Sequence, residues 1–424
     1  MLCKTVPDRC SWISVPVEPR FGCARWPRVT DGSGAPDLPR GRYRVTVGLV
    51  GGATAFSLLG DQALYAVLPV YLDQLGLSAI QVGILLSANR WIRLLTNHLA
   101  HRILARADFR ILFAGALVLG VATTAAYGLT RSFTALLTAR LLWGLAWSFI
   151  RQGGVMRVMD TAPPEATGRT MGTYNGITRI GSVLGLFGGA VLVDTVGFSL
   201  AMLTLAAIAM VSVPMALSLP AARRAETHDG APRNSSAEGA PSPFLVLGFC
   251  LGVVGPGFVM STLGFLLQSR VGSGGWLGFA SAATLTGAVL AVRFALDTLA
   301  APVLGASADR LGVAKVSVGF FGVGALALAG AVLAPDLITL IALVLVFFIA
   351  ATALQAGIAG YASRLGAAGF SRYVTAVDIG AAAGPLIAWV ALDRFALAEI
   401  GLLMGAAFYA VALLVAWLGF SRVR

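Results

Sequence analysis

Apolar residues run along this chain in long stretches separated by short polar breaks, and the stretches share one recurring length. A helix needs about 20 mainly apolar residues to cross the hydrocarbon core of a bilayer. Twelve segments meet that length, near residues 45–69, 79–100, 111–130, 133–157, 170–193, 199–218, 244–268, 276–300, 315–334, 336–360, 372–392 and 397–419. The pattern predicts an all-α membrane protein of twelve transmembrane helices. An even number of crossings places both termini on one side.

The polar positions divide the chain. Ala221 to Pro243 contains AETHDGAPRNSSAEGAPS, which cannot bury enough apolar surface to fold by itself. Residues 219–243 therefore read as a linker between a first bundle of six helices, 45–218, and a second, 244–424. Residues 1–44 hold eight Lys and Arg and no apolar core of signal-peptide length. They read as a disordered basic tail or as the product of a start codon assigned too early. A shift of 199 residues aligns Tyr174 with Tyr373, Ile180 with Ile379, Gly181 with Gly380, Gly185 with Gly384 and Asp194 with Asp393, so helix 11 repeats helix 5.

Composition fixes the solvent. The AVILMFWYC residues are 57% of the 424 and the charged residues only 12%, against about 25% charged in soluble domains. So few charges cannot cover a water-soluble surface of this size, and the apolar surplus faces lipid. The net charge of +12 comes from basic residues scattered singly between apolar runs, which argues against a nucleic-acid partner. Alternate connections carry Arg102, Arg106 and Arg110, then Arg157 and Arg169, then Arg223, Arg224 and Arg233, then Arg310 and Lys315, then Arg364 and Arg372. The opposite connections hold only Arg131, Arg270 and Arg394. Because cytoplasmic loops are enriched in Lys and Arg, both termini are expected in the cytoplasm, with the chain in the cytoplasmic (inner) membrane. Cys3, Cys10, Cys23 and Cys250 have no disulfide or zinc spacing. With His98, His101 and His228 the only histidines, no metal site, cofactor or His-based enzyme chemistry is expected.

Between helices 8 and 9 the chain reads GASADRLGVAK, from Gly305 to Lys315. This resembles the signature G-x-x-x-D-R-x-G-x-x-K/R of the major facilitator superfamily, which that family places between helices 2 and 3 and again between 8 and 9. Gly305 would permit close helix approach, Asp309 would sit at a neighbouring helix N-terminus where the dipole favours an anion, and Arg310 would supply cytoplasmic charge. The first-half copy, NHLAHRILARADFR, is degraded, with Asn97 for the glycine and His101 for the aspartate. RLLWG (140–144) is similar to the helix 4 pattern R-x-x-Q-G, and PEATGRTMG (164–172) to the loop entering helix 5. Gly181, Gly185 and Gly189 keep part of the family's antiporter motif in helix 5, whose proline form, GAAAGP, stands in helix 11 at 380–385. These glycines point to export or, equally, only to tight packing. The resemblance implies two pseudo-symmetric six-helix bundles that rock about a central cavity.

Ionisable groups at bilayer depth cost at least about 2.5–3.5 kcal/mol each, and so mark mechanism. Asp61 and Arg140 lie at matching depth on helices that the family places side by side, which makes them a proton-coupling pair or a permanent ion pair. Through the family's packing of helix 2 on helix 11 and helix 5 on helix 8, Arg93 or Arg90 would bridge to Asp378 and Arg179 to Asp297. Such bridges would gate the cytoplasmic side or serve packing alone. Gln62, Tyr65, Asn89, Trp91 and Trp147, with Arg90 and Arg93, complete the expected cavity. Five intramembrane arginines against three aspartates leave two positive charges, which favours an anionic solute, although Arg293 can pair with Asp297 one turn away. No phosphate-binding loop is visible, so a gradient is the expected energy source. The expectation is a monomeric proton-coupled exporter of a small amphipathic or anionic compound. An uptake permease, or a sensor or scaffold of the same fold, are the alternatives.

Overall fold

The computed structural model describes residues 40–163, 166–220, 242–271 and 281–421. The first half holds α1 (Arg40–Tyr71), α2 (Ala79–Leu104), α3 (Phe109–Leu129), α4 (Phe133–Thr161), α5 (Thr167–Val196) and α6 (Phe198–Leu217). The second holds α7 (Pro243–Val271), α8 (Ala282–Leu311), α9 (Val313–Val332), α10 (Leu337–Arg364), α11 (Gly366–Phe395) and α12 (Ile400–Ser421). Among the described residues every regular element is a helix. Eleven of the twelve are long and apolar enough to cross a membrane. The exception is α2, which carries Asn89, Arg90 and Arg93 in mid-helix. Most of the tail expected at 1–44 and of the linker expected at 219–243 lies outside the described residues.

Several helices outrun the expected apolar segments, α4 to Thr161 and α8 to Leu311. Apolarity ends at the headgroups, whereas the hydrogen-bond ladder continues into water. Short polar caps set the starts. Ser78 and Gln81 form a reciprocal capping box on α2, and the Asp108 carboxylate accepts from the first amides of α3. Two helices contain π-helical turns, Leu184–Gly188 in α5 and Val253–Val259 in α7, the second around Pro256.

Small residues bring helices together. A methyl group added at Gly185 would lie 2.7 Å from the Leu59 carbonyl oxygen of α1. Gly181 and Gly189, one turn to either side, press on Ala55 and Ala63 of α1 in the same way. With little hydrophobic drive between helices in lipid, such close approach supplies the packing energy. The repeat reproduces the arrangement: Gly380 and Gly384 of α11 seat on the backbone of α7 at Phe249 and Val253.

The halves meet where α1 packs on α7, α2 on α11 and α5 on α8. Call the face where α1 begins and α12 ends the terminal face, and the other the distal face. Towards the distal face one apolar core runs through both halves, joining Leu68 and Leu86 of the first to Leu267 and Trp389 of the second. Towards the terminal face Val50, Phe113 and Ile150 form a core confined to the first half. Gly185→Val is expected to destabilise the protein by about 1–3 kcal/mol through overpacking. Gly322→Val, at a position with nothing within 4 Å of an added methyl, is expected to be neutral, as read by thermal unfolding of purified protein.

Candidate functional site

The unequal cores leave a cavity of about 740 Å³ between the halves. It extends from Tyr65 and Met260, deep in the bundle, to Met171 and Phe370, one turn inside the terminal face. A second space of about 400 Å³ adjoins it beside Asp297, Thr352 and Asp378. On the distal side the halves touch through glycines. A methyl at Gly83 of α2 would lie 2.6 Å from the Trp389 Cβ of α11, and one at Gly264 of α7 would lie 3.1 Å from the Pro69 Cβ of α1. Gly287 of α8 rests on the Leu186 carbonyl of α5. The cavity is therefore closed distally and directed to the terminal face.

Asp61 and Arg140 meet at its deep end. Arg140 Nη1 stands 2.5 Å from Asp61 Oδ1, and Arg140 Nε donates to the Leu85 carbonyl at 2.9 Å. The pair is buried, with Asp61 5% and Arg140 1% exposed. Asn89 Nδ2 donates to Asp61 Oδ1 at 3.4 Å and Gln62 Nε2 to Asp61 Oδ2 at 3.2 Å. The Tyr65 ring lies between the Arg90 and Arg140 guanidiniums, 5.6 and 5.7 Å from its centroid. In this dry setting the two charges need each other.

Comparison with known proteins agrees with the geometry. Residues 50–296 match the sequence profile of the Major Facilitator Superfamily. The chain belongs to the major facilitator superfamily. This makes it a transporter by class, not an enzyme. It is 34% identical over 94 residues to an uncharacterized MFS-type transporter, YfiS, of Bacillus subtilis (strain 168). That stretch covers 21% of this chain and 22% of the relative, so the chain matches about a fifth of that relative's length. A bacterial homolog of the human lysosomal transporter Spinster, crystallised inward-facing and occupied, superposes with a TM-score of 0.74 at 16% identity, over 90% of this chain and 97% of that one. The nucleoside transporter NupG gives 0.72 at 12% identity, over 90% and 99%. At these identities the likeness concerns the fold, two pseudo-symmetric six-helix bundles.

Within this superfamily member Gln62, Tyr65, Asn89, Arg90, Arg93 and Trp147 line the cavity. Trp91 does not. It is 43% exposed on the outer surface, because one step along the helix turns it by about 100° from Arg90 in the direction opposite to Asn89 and Arg93. Arg93 Nη2 reaches Asp378 Oδ1 at 4.0 Å, the limit of an ion pair. Arg90 instead donates to the Ala381 carbonyl at 3.0 Å. That oxygen lacks a helical partner because Pro385, four residues on, has no N–H.

The expected Arg179–Asp297 bridge is not formed. Arg179 stacks on the Phe294 ring at 4.6 Å. Asp297 takes Arg293 Nε at 3.6 Å, one turn away, and the Thr352 hydroxyl. Asp297 is satisfied within its own half, while Arg179 crosses to α8 one turn short of that carboxylate and meets the Phe294 ring instead. Gly305 is no close-approach point either: an added methyl would meet only Ala356 Cβ, at an ordinary 3.7 Å. Arg310 is exposed, and the Asp309 side chain lies outside the described residues.

Two groups escaped the sequence reading. Arg151 of α4 lines both spaces. Its position eleven residues after Arg140, three turns on the same helix face, was the available signal. Asp194, noticed only as the repeat mate of Asp393, joins the halves on the distal side. It accepts from the Tyr71 hydroxyl of α1 at 2.6 Å and from the hydroxyls of Ser281 and Thr284 at the start of α8. Asp393 is exposed, so this latch has no counterpart in the repeat.

Asp61→Ala and Arg140→Ala are each expected to cost about 3–5 kcal/mol, because each leaves a buried charge alone. The double change should cost less than the sum of the two. Thermal unfolding of the four proteins measures the coupling, and additive losses would contradict it.

Proposed function

We propose that the protein is a proton-coupled secondary transporter that exports a small amphipathic or anionic compound by alternating access. The observation that carries the reading is the buried Asp61–Arg140 pair at the blind end of a cavity closed on one face only. Arg140, Asn89 and Gln62 all donate to this carboxylate. A solute that draws Arg140 away and a proton placed on Asp61 act on the same contact, which ties binding to protonation. The adjoining space beside Arg179, Asp297 and Asp378 supports a gate whose bridges form when the halves rock the other way.

The terminal face is the one that carries the arginine-rich connections, and the positive-inside rule makes it cytoplasmic. Both termini then lie in the cytoplasm, in the inner membrane, and the cavity faces inward. Uptake through the same cavity is the second reading. It is favoured by the seating of Gly181, Gly185 and Gly189 on α1, which accounts for these glycines without an antiporter role.

Inverted vesicles assayed with a compound panel, with and without a proton gradient, test direction and coupling together. Asp61→Asn is expected to abolish gradient-driven accumulation while leaving downhill exchange. Full proton-driven transport by Asp61→Asn would remove the coupling role. Alternating access also requires the distal latch to open. Asp194→Ala should increase labelling by an impermeant maleimide of a cysteine placed at Leu285, in a background otherwise without cysteine. Unchanged labelling would mean that the latch does not hold that face.

A further inference from the structure

The cavity region holds more arginine than its carboxylates balance. Arg90, Arg93, Arg140, Arg151, Arg179 and Arg293 stand against Asp61, Asp297 and Asp378. Six positive charges less three negative leave three, one more than the sequence suggests, and the difference is Arg151. Three arginines have acidic partners, Arg140 on Asp61, Arg293 on Asp297 and Arg93 on Asp378. Arg90 is spent on the Ala381 carbonyl and the Tyr65 ring.

Arg151 and Arg179 remain, Arg179 with its face on the Phe294 ring but, unlike Arg90, with no hydrogen-bond acceptor on its N–H groups among the described residues. Among the described residues neither has a carboxylate within 4.0 Å. They come from consecutive helices, α4 and α5, and both line the main cavity and the space beside it.

The excess is also one-sided. The first half contributes five arginines and Asp61, a net +4, and the second contributes Arg293, Asp297 and Asp378, a net −1. An uncompensated positive wall in a low-dielectric cleft concentrates anions. A guanidinium fork matches a carboxylate or phosphate in two-point contact. Two forks without acidic partners call for two anionic groups, or one doubly charged group, in a single ligand. Trp147, Tyr174, Phe294 and Phe370 give the same chamber an aromatic lining, and its volume falls within the range of about 300–1,000 Å³ for small-molecule sites.

We propose that the cavity takes a solute with at least two negative charges on a compact, partly apolar body, and that Arg151 and Arg179 are its anion ligands. The proposal rests on the transport reading for its purpose, but binding tests it without a gradient.

The probes are benzene-1,3-dicarboxylate, phenyl phosphate, benzoate and benzyltrimethylammonium, titrated against the purified full chain with thermal stability as readout. At least one dianion should stabilise the protein more than benzoate does, and the ammonium ion should not. Which dianion wins separates carboxylate from phosphate as the favoured group. Arg151→Gln and Arg179→Gln should each weaken dianion binding by at least about tenfold, the loss of one charge-assisted contact. Arg394→Gln, at an exposed distal position, should not. Arg151→Lys, which keeps the charge, should recover part of the binding and shows that loss in the glutamine variant is not misfolding.

A cation that binds as well as the dianions, no binding by either dianion, or dianion binding untouched in both glutamine variants would overturn the proposal. Dianion binding with no gradient-driven transport in vesicles would instead overturn the transport reading and leave this site standing. Gradient-driven transport of neutral or cationic compounds alone would do the reverse.

Discussion

The cost of placing a charge at bilayer depth governs this structure. Each such group forfeits hydration worth at least about 2.5–3.5 kcal/mol, so it must face protein or a water-filled space. Asp61 and Arg140 show the rule at its strictest, buried against each other. Arg90, Arg93, Arg151, Arg179, Arg293, Asp297 and Asp378 meet it by lining the cavity and its annex. The cavity is as much a requirement of these side chains as a consequence of the helix arrangement. Without it the arginines would have no solvent.

Close packing on the distal side and separation on the terminal side are two aspects of one geometry. Glycines at 83, 264 and 287 let the halves touch at backbone distance, and Asp194, held by the Tyr71 hydroxyl of its own half, joins them through the two hydroxyl groups of Ser281 and Thr284. Hydroxyl contacts to a carboxylate, unlike a ladder of apolar contacts, can be exchanged for water at little cost. A closure built this way is firm and reversible, which a moving interface needs. The repeat explains the shared scaffold, with α5 seated on α1 as α11 is on α7. It does not explain the latch, since Asp393 is exposed.

Most of the fold was legible because lipid imposes simple rules on sequence. The twelve spans, their division six and six and the α5–α11 repeat all follow from hydropathy and spacing. The Asp61–Arg140 contact was legible because depth can be counted along a helix. Face is harder to count. Trp91 was assigned to the cavity although it sits one residue, and so about 100°, away from Arg90. The Arg179–Asp297 bridge was expected from neighbouring helices, but whether two groups meet depends on which face is closed, and sequence does not encode one state. Arg151 was readable from its three-turn spacing to Arg140. The bond from Arg90 to the Ala381 carbonyl follows from Pro385 only once α2 and α11 are known to touch there.

The account turns on a rigid closure on one face being exchanged for closure on the other. Distances between spin labels measure this most directly, with one pair on the exposed distal positions Arg131 and Arg394 and another on the exposed terminal positions Arg106 and Arg372. As pH and added anions are varied, the distal separation should lengthen in the same populations in which the terminal separation shortens. Two distances that stay fixed under every condition, or that lengthen together, would contradict it.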